Sequence, residues 1–347
     1  MDLVGSALGF GSDDSELFKA RIAVAGIGGG GSNTIMRLSK SGIVGANLVA
    51  INTDAKHLNT LDPAIKKVLI GGTITRGLGA GGFPEMGAKA AEYSKSEIER
   101  AIGDCNLLFV TAGMGGGTGG GAAPIVAQIA KNSGAIVIGI VTYPFAMERV
   151  RLKVAQKSIE ELRRVVDTLI VIDNQRLFEV YKNLAMEQAF KLADEVAVRA
   201  VKGITDTINS PGLINVDYAD IRSIMSRGGL AMISVGEGRG HDKIEEVVKS
   251  TLKNKLLDVD YDGTSGIMLY IKGGEDLTLG DANTIATRLT EQAAPNANVI
   301  WGARVDPTYN GKVEVVGIFT GVRSPQILSG GAGGQAGGRN DLGLGEL

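Results

Sequence analysis

Five apolar runs of strand length punctuate the first half of the chain: RIAVAGIG (21–28), ANLVAINTD (46–54), NLLFVTAG (106–113), AIVIGIVTY (135–143) and TLIVIDN (168–174). Each is rich in Val, Ile or Leu on both faces rather than alternating, as in strands buried between two layers. Stretches with helical periodicity lie between them, at Ser32–Ser41, Gly87–Ile102, Ala122–Asn132 and Arg151–Val166. Strands alternating with helices predict a doubly wound α/β domain with a parallel sheet. Ligands of such sheets bind beyond the carboxyl ends of the strands.

A different pattern follows. From Met186 to Asn209, apolar residues at Ala189, Phe190, Ala193, Val196, Ala197, Ala200, Val201, Ile204 and Ile208 keep a helical period. This predicts one continuous rod about 36 Å long, stopped by Ser210, Pro211 and Gly212. Beyond Ser226, the strands LAMISVGEG (230–238), GIMLYIKGG (266–274), NANVIWGARVD (296–306) and KVEVVGIFTG (312–321) frame helical stretches at Asp242–Lys253 and Thr278–Glu291. The expected organisation is an N-terminal extension (1–20), a ligand-binding domain (21–185), a central helix (186–209) and an acidic loop with a following helix (210–227). A smaller α+β domain with a mixed sheet (228–322) and a glycine-rich tail (323–347) complete it. The tail is too poor in apolar residues to fold, and its end, DLGLGEL, reads equally as a docking peptide or as plain solvated chain.

Composition narrows the function. With 347 residues the chain outgrows a single core. Its 36 basic and 38 acidic residues leave a net charge of −2, without the basic excess of a nucleic-acid surface. One cysteine, Cys105 in an apolar run, reads as a buried thiol. Two histidines, His57 and His241, make a poor basis for a zinc site or a histidine-based triad. No apolar run reaches the ~18 residues of a membrane span. The first twenty residues, with Asp13, Asp14 and Glu16, do not resemble a signal peptide. A cytoplasmic protein without membrane insertion is expected.

The chemistry concentrates in three glycine-rich loops. The first strand ends in GIGGGGSN (Gly26–Asn33), GLGAGG occupies Gly77–Gly82 ahead of Pro84, and the third strand ends in GMGGGTGGG (Gly113–Gly121). In the first and third, a strand runs through glycines directly into a helix. Free backbone N–H groups and a helix N-terminus then face one spot, an arrangement suited to phosphate. Gly26, Gly28 and Gly31 satisfy the dinucleotide fingerprint, with Asp54 near the place of a ribose-binding acid, so an NAD-dependent oxidoreductase is a competing reading. A dinucleotide needs one such loop, whereas a triphosphate uses all three. No lysine follows either long glycine run, which excludes the P-loop pattern.

GMGGGTGGGAAP resembles the signature loop of the tubulin/FtsZ family of GTPases. The accompanying GIGGGGSN, NTDA (Asn52–Ala55), GLGAGG with its following Pro-Glu, Pro144-Phe145 with Glu148, and NVDYAD (Asn215–Asp220) resemble its FtsZ branch, in spellings closer to archaeal members. The likeness runs from about Arg21 to Val322. It implies a filament-forming GTPase that binds GTP or GDP with Mg2+, assembles head to tail with copies of itself and acts at the division site. A membrane-tethering partner on the tail is a further implication. By this resemblance Gly28, Gly29, Gly30, Gly31, Asn33, Asp54, Ala80, Gly81, Gly113, Met114, Gly115, Gly116, Gly117, Thr118 and Gly119 surround the nucleotide, Thr118 adding a hydroxyl to the phosphate-binding amides. Glu148 and Arg151 meet the ribose, Asn174 and Asp194 read the guanine edge, and Phe190 stacks on the ring. Asn215, Asp217 and Asp220 act on the attacking water, and no metal ligand is assigned.

Spacing alone leaves plainer alternatives: Phe190 as core, Asn174 as a helix cap, Asp217 and Asp220 as turn formers. Three departures from the family pattern stand out. Gly120 replaces a usual threonine, Glu148 and Arg151 are three apart rather than four, and the tail lacks the usual bacterial partner-binding peptide. A nucleotide-binding scaffold that polymerises without turnover is a second alternative. Asp194 and the end of the rod at Asn209 are about 22 Å apart, so the acids beyond that end are expected to serve a neighbouring subunit.

Overall fold

The structure, a computed structural model, describes residues 20–176, 186–209, 216–226, 229–253 and 264–322. Its ten strands are β1 (Ile22–Ile27), β2 (Ala46–Asn52), β3 (Lys66–Leu69), β4 (Leu107–Gly113), β5 (Ile136–Tyr143), β6 (Thr168–Asp173), β7 (Leu230–Arg239), β8 (Gly266–Gly273), β9 (Asn298–Val305) and β10 (Lys312–Thr320). They form one sheet in the order β3-β2-β1-β4-β5-β6-β7-β10-β8-β9. Every pairing from β3 to β7 is parallel. β10 then runs antiparallel to β7 and β8, and β9 parallel to β8. The parallel and mixed parts meet where β6 pairs with β7 through only Leu169 with Leu230 and Ile170 with Ala231.

The longer helices are α1 (Gly28–Lys40), α2 (Pro84–Tyr93), α3 (Lys95–Ile102), α4 (Gly117–Asn132), α5 (Val150–Arg163), α6 (Met186–Asn209), α7 (Tyr218–Met225), α8 (Lys243–Lys253) and α9 (Leu279–Thr290). β1 is buried along its whole length. Its period of two sends Ile22 and Val24 to the side of α6 and Ala23, Ala25 and Ile27 to the side of α4. On the first side, Val196, Ala197, Ala200, Val201 and Ile204 of α6 share a core with Phe109 of β4 and with Val316 and Ile318 of β10. The central helix therefore packs on both parts of the sheet.

A hydrogen bond and ion pairs fasten that helix as well. Lys202 Nζ donates to the Ser41 carbonyl at the end of α1, at 3.0 Å. Arg199 binds Glu237 of β7 at 2.7 Å and Glu314 of β10 at 3.2 Å, besides Glu195 on its own helix. The carboxyl of Glu314 is pushed above its ordinary value by burial, with Arg199 opposing the shift.

Three local details differ from the sequence expectation. α1 and α4 begin four and five residues early, within the glycines, because those glycines meet other backbone. A Cβ on Gly31 would overlap the Thr111 carbonyl oxygen, and one on Gly119 would lie 2.5 Å from the Gly113 oxygen. The stretch expected as one helix from Gly87 to Ile102 is two, α2 and α3, parted at Ser94, whose hydroxyl accepts from the Gly71 N–H at 3.0 Å. β3, a short strand with two lysines at the sheet edge, escaped notice.

Candidate functional site

β1 and β4 lie side by side in register, so their carboxyl ends deliver α1 and α4 to the same place. Neither helix has a side-chain cap: Ile27 and Gly116 occupy the cap positions without making one. Two sets of free N–H groups and two positive dipole ends thus converge. Over them opens a cavity of about 630 Å³.

The glycines around it fall into two groups. At Gly28 (φ +70°) and Gly30, an added Cβ would come within 3.0 Å of the Gly119 nitrogen and 3.1 Å of the Gly113 nitrogen, so the two loops pack on each other. At Gly29 and Gly116 an added Cβ would meet nothing within 4 Å. Those two positions gain nothing from glycine in packing, yet both line the cavity. Thr118 is buried nearby, its hydroxyl 2.6 Å from that of Thr53.

The far end of the cavity is built by the end of β6 and the start of α6. Asn174 is 7 % exposed, and its Oδ1 has no hydrogen-bond partner among the described residues. A buried carboxamide oxygen left unpaired costs stability unless a ligand satisfies it. Phe190 is 43 % exposed and edge-on to Phe145, with ring centroids 5.3 Å apart, which disposes of a core role for it. Asp194 accepts from Arg37 Nε at 2.8 Å and from the Thr34 hydroxyl at 3.1 Å. Burial pushes its carboxyl above the ordinary value, and the Arg37 and Thr34 contacts oppose the shift. At the rim, Glu148 accepts from Arg151 Nη1 at 2.8 Å and from the Phe145 N–H at 3.0 Å, so the three-residue spacing closes a pair.

Of the residues expected around the nucleotide, the cavity wall brings together Gly28, Gly29, Gly30, Asn33, Gly113, Met114, Gly116, Gly117, Thr118, Gly119, Glu148, Arg151, Asn174, Phe190 and Asp194. Others stand back from it. Gly31 packs on Thr111, and Gly115 (φ +90°) packs on Arg151 and Pro144. Ala80 faces Gly117, and Gly81 sits beside Phe83. Asp54 is not in the cavity wall; it caps the short helix Ala55–Asn59, its Oδ1 accepting from the His57 N–H at 3.0 Å. Sequence reasoning missed Arg37, Thr142, Pro144 and Glu187 in the wall and Thr34 behind it. The partners of Thr34 and Arg37 lie about 160 residues away, beyond the reach of any local signal.

The expected catalytic acids lie elsewhere. Asp217 and Asp220 form a reciprocal capping box at the start of α7, each side chain accepting from the other's N–H, at 2.8 and 3.2 Å. Asn215 lies outside the described residues. The adjacent Tyr218 donates its hydroxyl to the Asn106 carbonyl at 2.9 Å, at the amino end of β4. The glycine loop leaves the other end of that strand, seven residues on, about 23 Å away.

A parallel sheet carrying two uncapped, glycine-flanked helix starts, with a long central helix leading to a mixed sheet, is the architecture of tubulin-type GTPases. The model of the tubulin/FtsZ family GTPase domain matches residues 21–182, and that of the FtsZ family C-terminal domain matches residues 229–323. The cell-division protein FtsZ 2 of Methanocaldococcus jannaschii is 54 % identical over 90 % of this chain and 83 % of its own. FtsZ 2 of Haloferax volcanii is 50 % identical over 91 % and 78 %. A solved empty FtsZ dimer of M. jannaschii superposes with a TM-score of 0.84 at 47 % identity, covering 90 % of this chain and 93 % of that one. The chain belongs to the FtsZ family of cell-division GTPases. Among the described residues, no helix is long and apolar enough to cross a membrane.

Proposed function

We propose that this GTPase acts only when two copies stack head to tail, one supplying the pocket and the next supplying Asp217 and Asp220. The carrying observation is the placement of these acids at the opposite end of β4 from the glycine loop. In the proposed complex the phosphates lie on the N-termini of α1 and α4, where Gly29 and Gly116 leave room. The base lies between Asn174, Phe190 and Asp194, and Glu148 with Arg151 flanks the ribose. The dimer formed by the M. jannaschii relative supports self-association. Such a contact between unlike faces does not close on itself, so it extends into a filament.

The chain's own contribution to hydrolysis is electrostatic and positional. Backbone N–H groups of the two loops hold charge developing on the γ-phosphate, and the incoming acids orient water against it. Among the described residues, no group of three or more His, Cys, Asp or Glu is placed to hold a metal ion. A magnesium ion would be carried by the triphosphate and water. When bound, that ion neutralises phosphate charge. Action at the division site, and recruitment of a membrane-tethering partner by the tail, are the cellular part of the proposal.

Complementation tests it. Asp220→Ala leaves a sound pocket and Gly116→Arg a sound acidic loop, so each alone is inactive while their mixture regains phosphate release. Turnover by wild type rises steeply with protein concentration. A specific activity independent of concentration, in a sample shown to be monomeric, would refute the shared site.

A further inference from the structure

The carboxylate of Asp194 is held by two donors, both from α1: Arg37 Nε on one oxygen and the Thr34 hydroxyl on the other. An ionised carboxylate offers about four acceptor positions. Two are filled by α1, which leaves two for a ligand. Guanine presents two adjacent donors on one edge, N1–H and the 2-amino group. We propose that Thr34 is a specificity-determining positioning residue: together with Arg37, its hydroxyl fixes Asp194 in the orientation that meets both guanine donors. The inference rests on the reading of Asp194 as the base acceptor.

Thr34 is suited to this role because it stays away from the ligand. It is 3 % exposed and does not form part of the cavity wall, whereas Asp194 and Arg37 do. Its hydroxyl also lies 3.3 Å from the Gly30 carbonyl, but it has one proton, and the ionised carboxylate at 3.1 Å is the stronger acceptor. Arg37 alone would hold one oxygen and leave the other free to swing. The second anchor fixes both oxygens before a nucleotide arrives, so less freedom is lost on binding. One turn of α1 thereby carries both a phosphate-loop residue, Gly30, and the donor that aims the base reader.

The experiment compares GTP with inosine triphosphate, which keeps N1–H and lacks the 2-amino group, by displacement of a fluorescent GDP analogue. It uses full-length wild type, Thr34→Val, Thr34→Ser and Asp194→Asn, with a thermal melt of each. Wild type prefers GTP roughly ten- to a hundredfold, the worth of one hydrogen bond to a charged group. Thr34→Val, matched in volume and branching, lowers that ratio roughly three- to tenfold, and its melt falls by a few degrees but stays a single cooperative transition. Thr34→Ser restores it, and Asp194→Asn abolishes it. A ratio unchanged in Thr34→Val but lost in Asp194→Asn overturns the role of Thr34 and leaves the base reader standing. A ratio unchanged in both overturns the two together. A uniform loss of affinity for both nucleotides in Thr34→Val, with the ratio kept, assigns the residue to folding and also overturns the inference.

Discussion

Two glycines two positions apart, Gly29 and Gly31, separate the demands of folding from those of the ligand. At Gly31 an added methyl would overlap the Thr111 carbonyl oxygen and lie 2.8 Å from the Gly26 carbonyl carbon. Both are backbone atoms of central strands and cannot step aside. Overpacking of this kind costs about 1–3 kcal/mol where side chains can yield, and more where backbone must move. At Gly29 the methyl meets nothing, and alanine in a helical turn is favoured over glycine by up to about 1 kcal/mol. Gly31→Ala therefore lowers the melting temperature of the nucleotide-free protein, by roughly 2–4 °C for each kcal/mol. Gly29→Ala leaves it level or slightly higher. For GTP the order reverses. The Gly29 methyl occupies space a phosphate oxygen needs to reach an N–H, and losing one charge-assisted bond of about 1.5–3 kcal/mol weakens binding at least tenfold. Differential scanning fluorimetry with and without GDP, beside fluorescent-nucleotide titration, reads both quantities. Gly29→Ala as unstable as Gly31→Ala, with GTP affinity intact, would show that the open space is not the phosphate site.

Three more outcomes are expected. Asp194 must be ionised to accept from guanine, and burial holds its carboxyl above the ordinary aspartate value; GTP affinity therefore falls as the pH drops through that raised value, and Asp194→Asn binds weakly at every pH in the same titration. Arg199→Met removes the ion-pair partner of the half-buried Glu314 and leaves it only the charge of Lys272, which costs about 1–3 kcal/mol at neutral pH. Because Glu314 then takes a proton more readily still, the deficit shrinks as pH falls, and denaturant unfolding at pH 7 and pH 5 measures the difference. Deleting 330–347 leaves hydrolysis and assembly unchanged if the tail carries none of the core; an altered thermal transition would show that it packs on the body.

The buried strands and the long helix were legible because burial imposes simple periods on them. β1, β4, β5 and β6 are apolar but for Thr111, Thr142, Tyr143, Thr168 and Asp173, and α6 spans the 24 residues its pattern marked. β3 was invisible since an edge strand needs no apolar run, and its Lys66 and Lys67 are both exposed. The helix starts at Gly28 and Gly117 were hidden because glycine is a poor helix former; close approach of backbone to backbone, a tertiary fact, decides them. The glycine loops announced an anion site through composition alone. The supports of Asp194 could not be read, since nothing near Thr34 or Arg37 in sequence distinguishes them from any helix surface. Asp54 shows a local signal at work: an Asp just before a short helix caps it, accepting from the His57 N–H.

The pocket and the acids stand at opposite ends of one strand, and that gives any row of stacked copies a countable chemistry. If the acids act across the junction as proposed, a row has as many working sites as junctions, one fewer than its pockets, and one terminal nucleotide lacks its acids and persists. A pair then works at half the rate per subunit of a long row, and each added copy contributes one full site. Turnover becomes a gauge of length, and the end that keeps its GTP is fixed by the direction of β4.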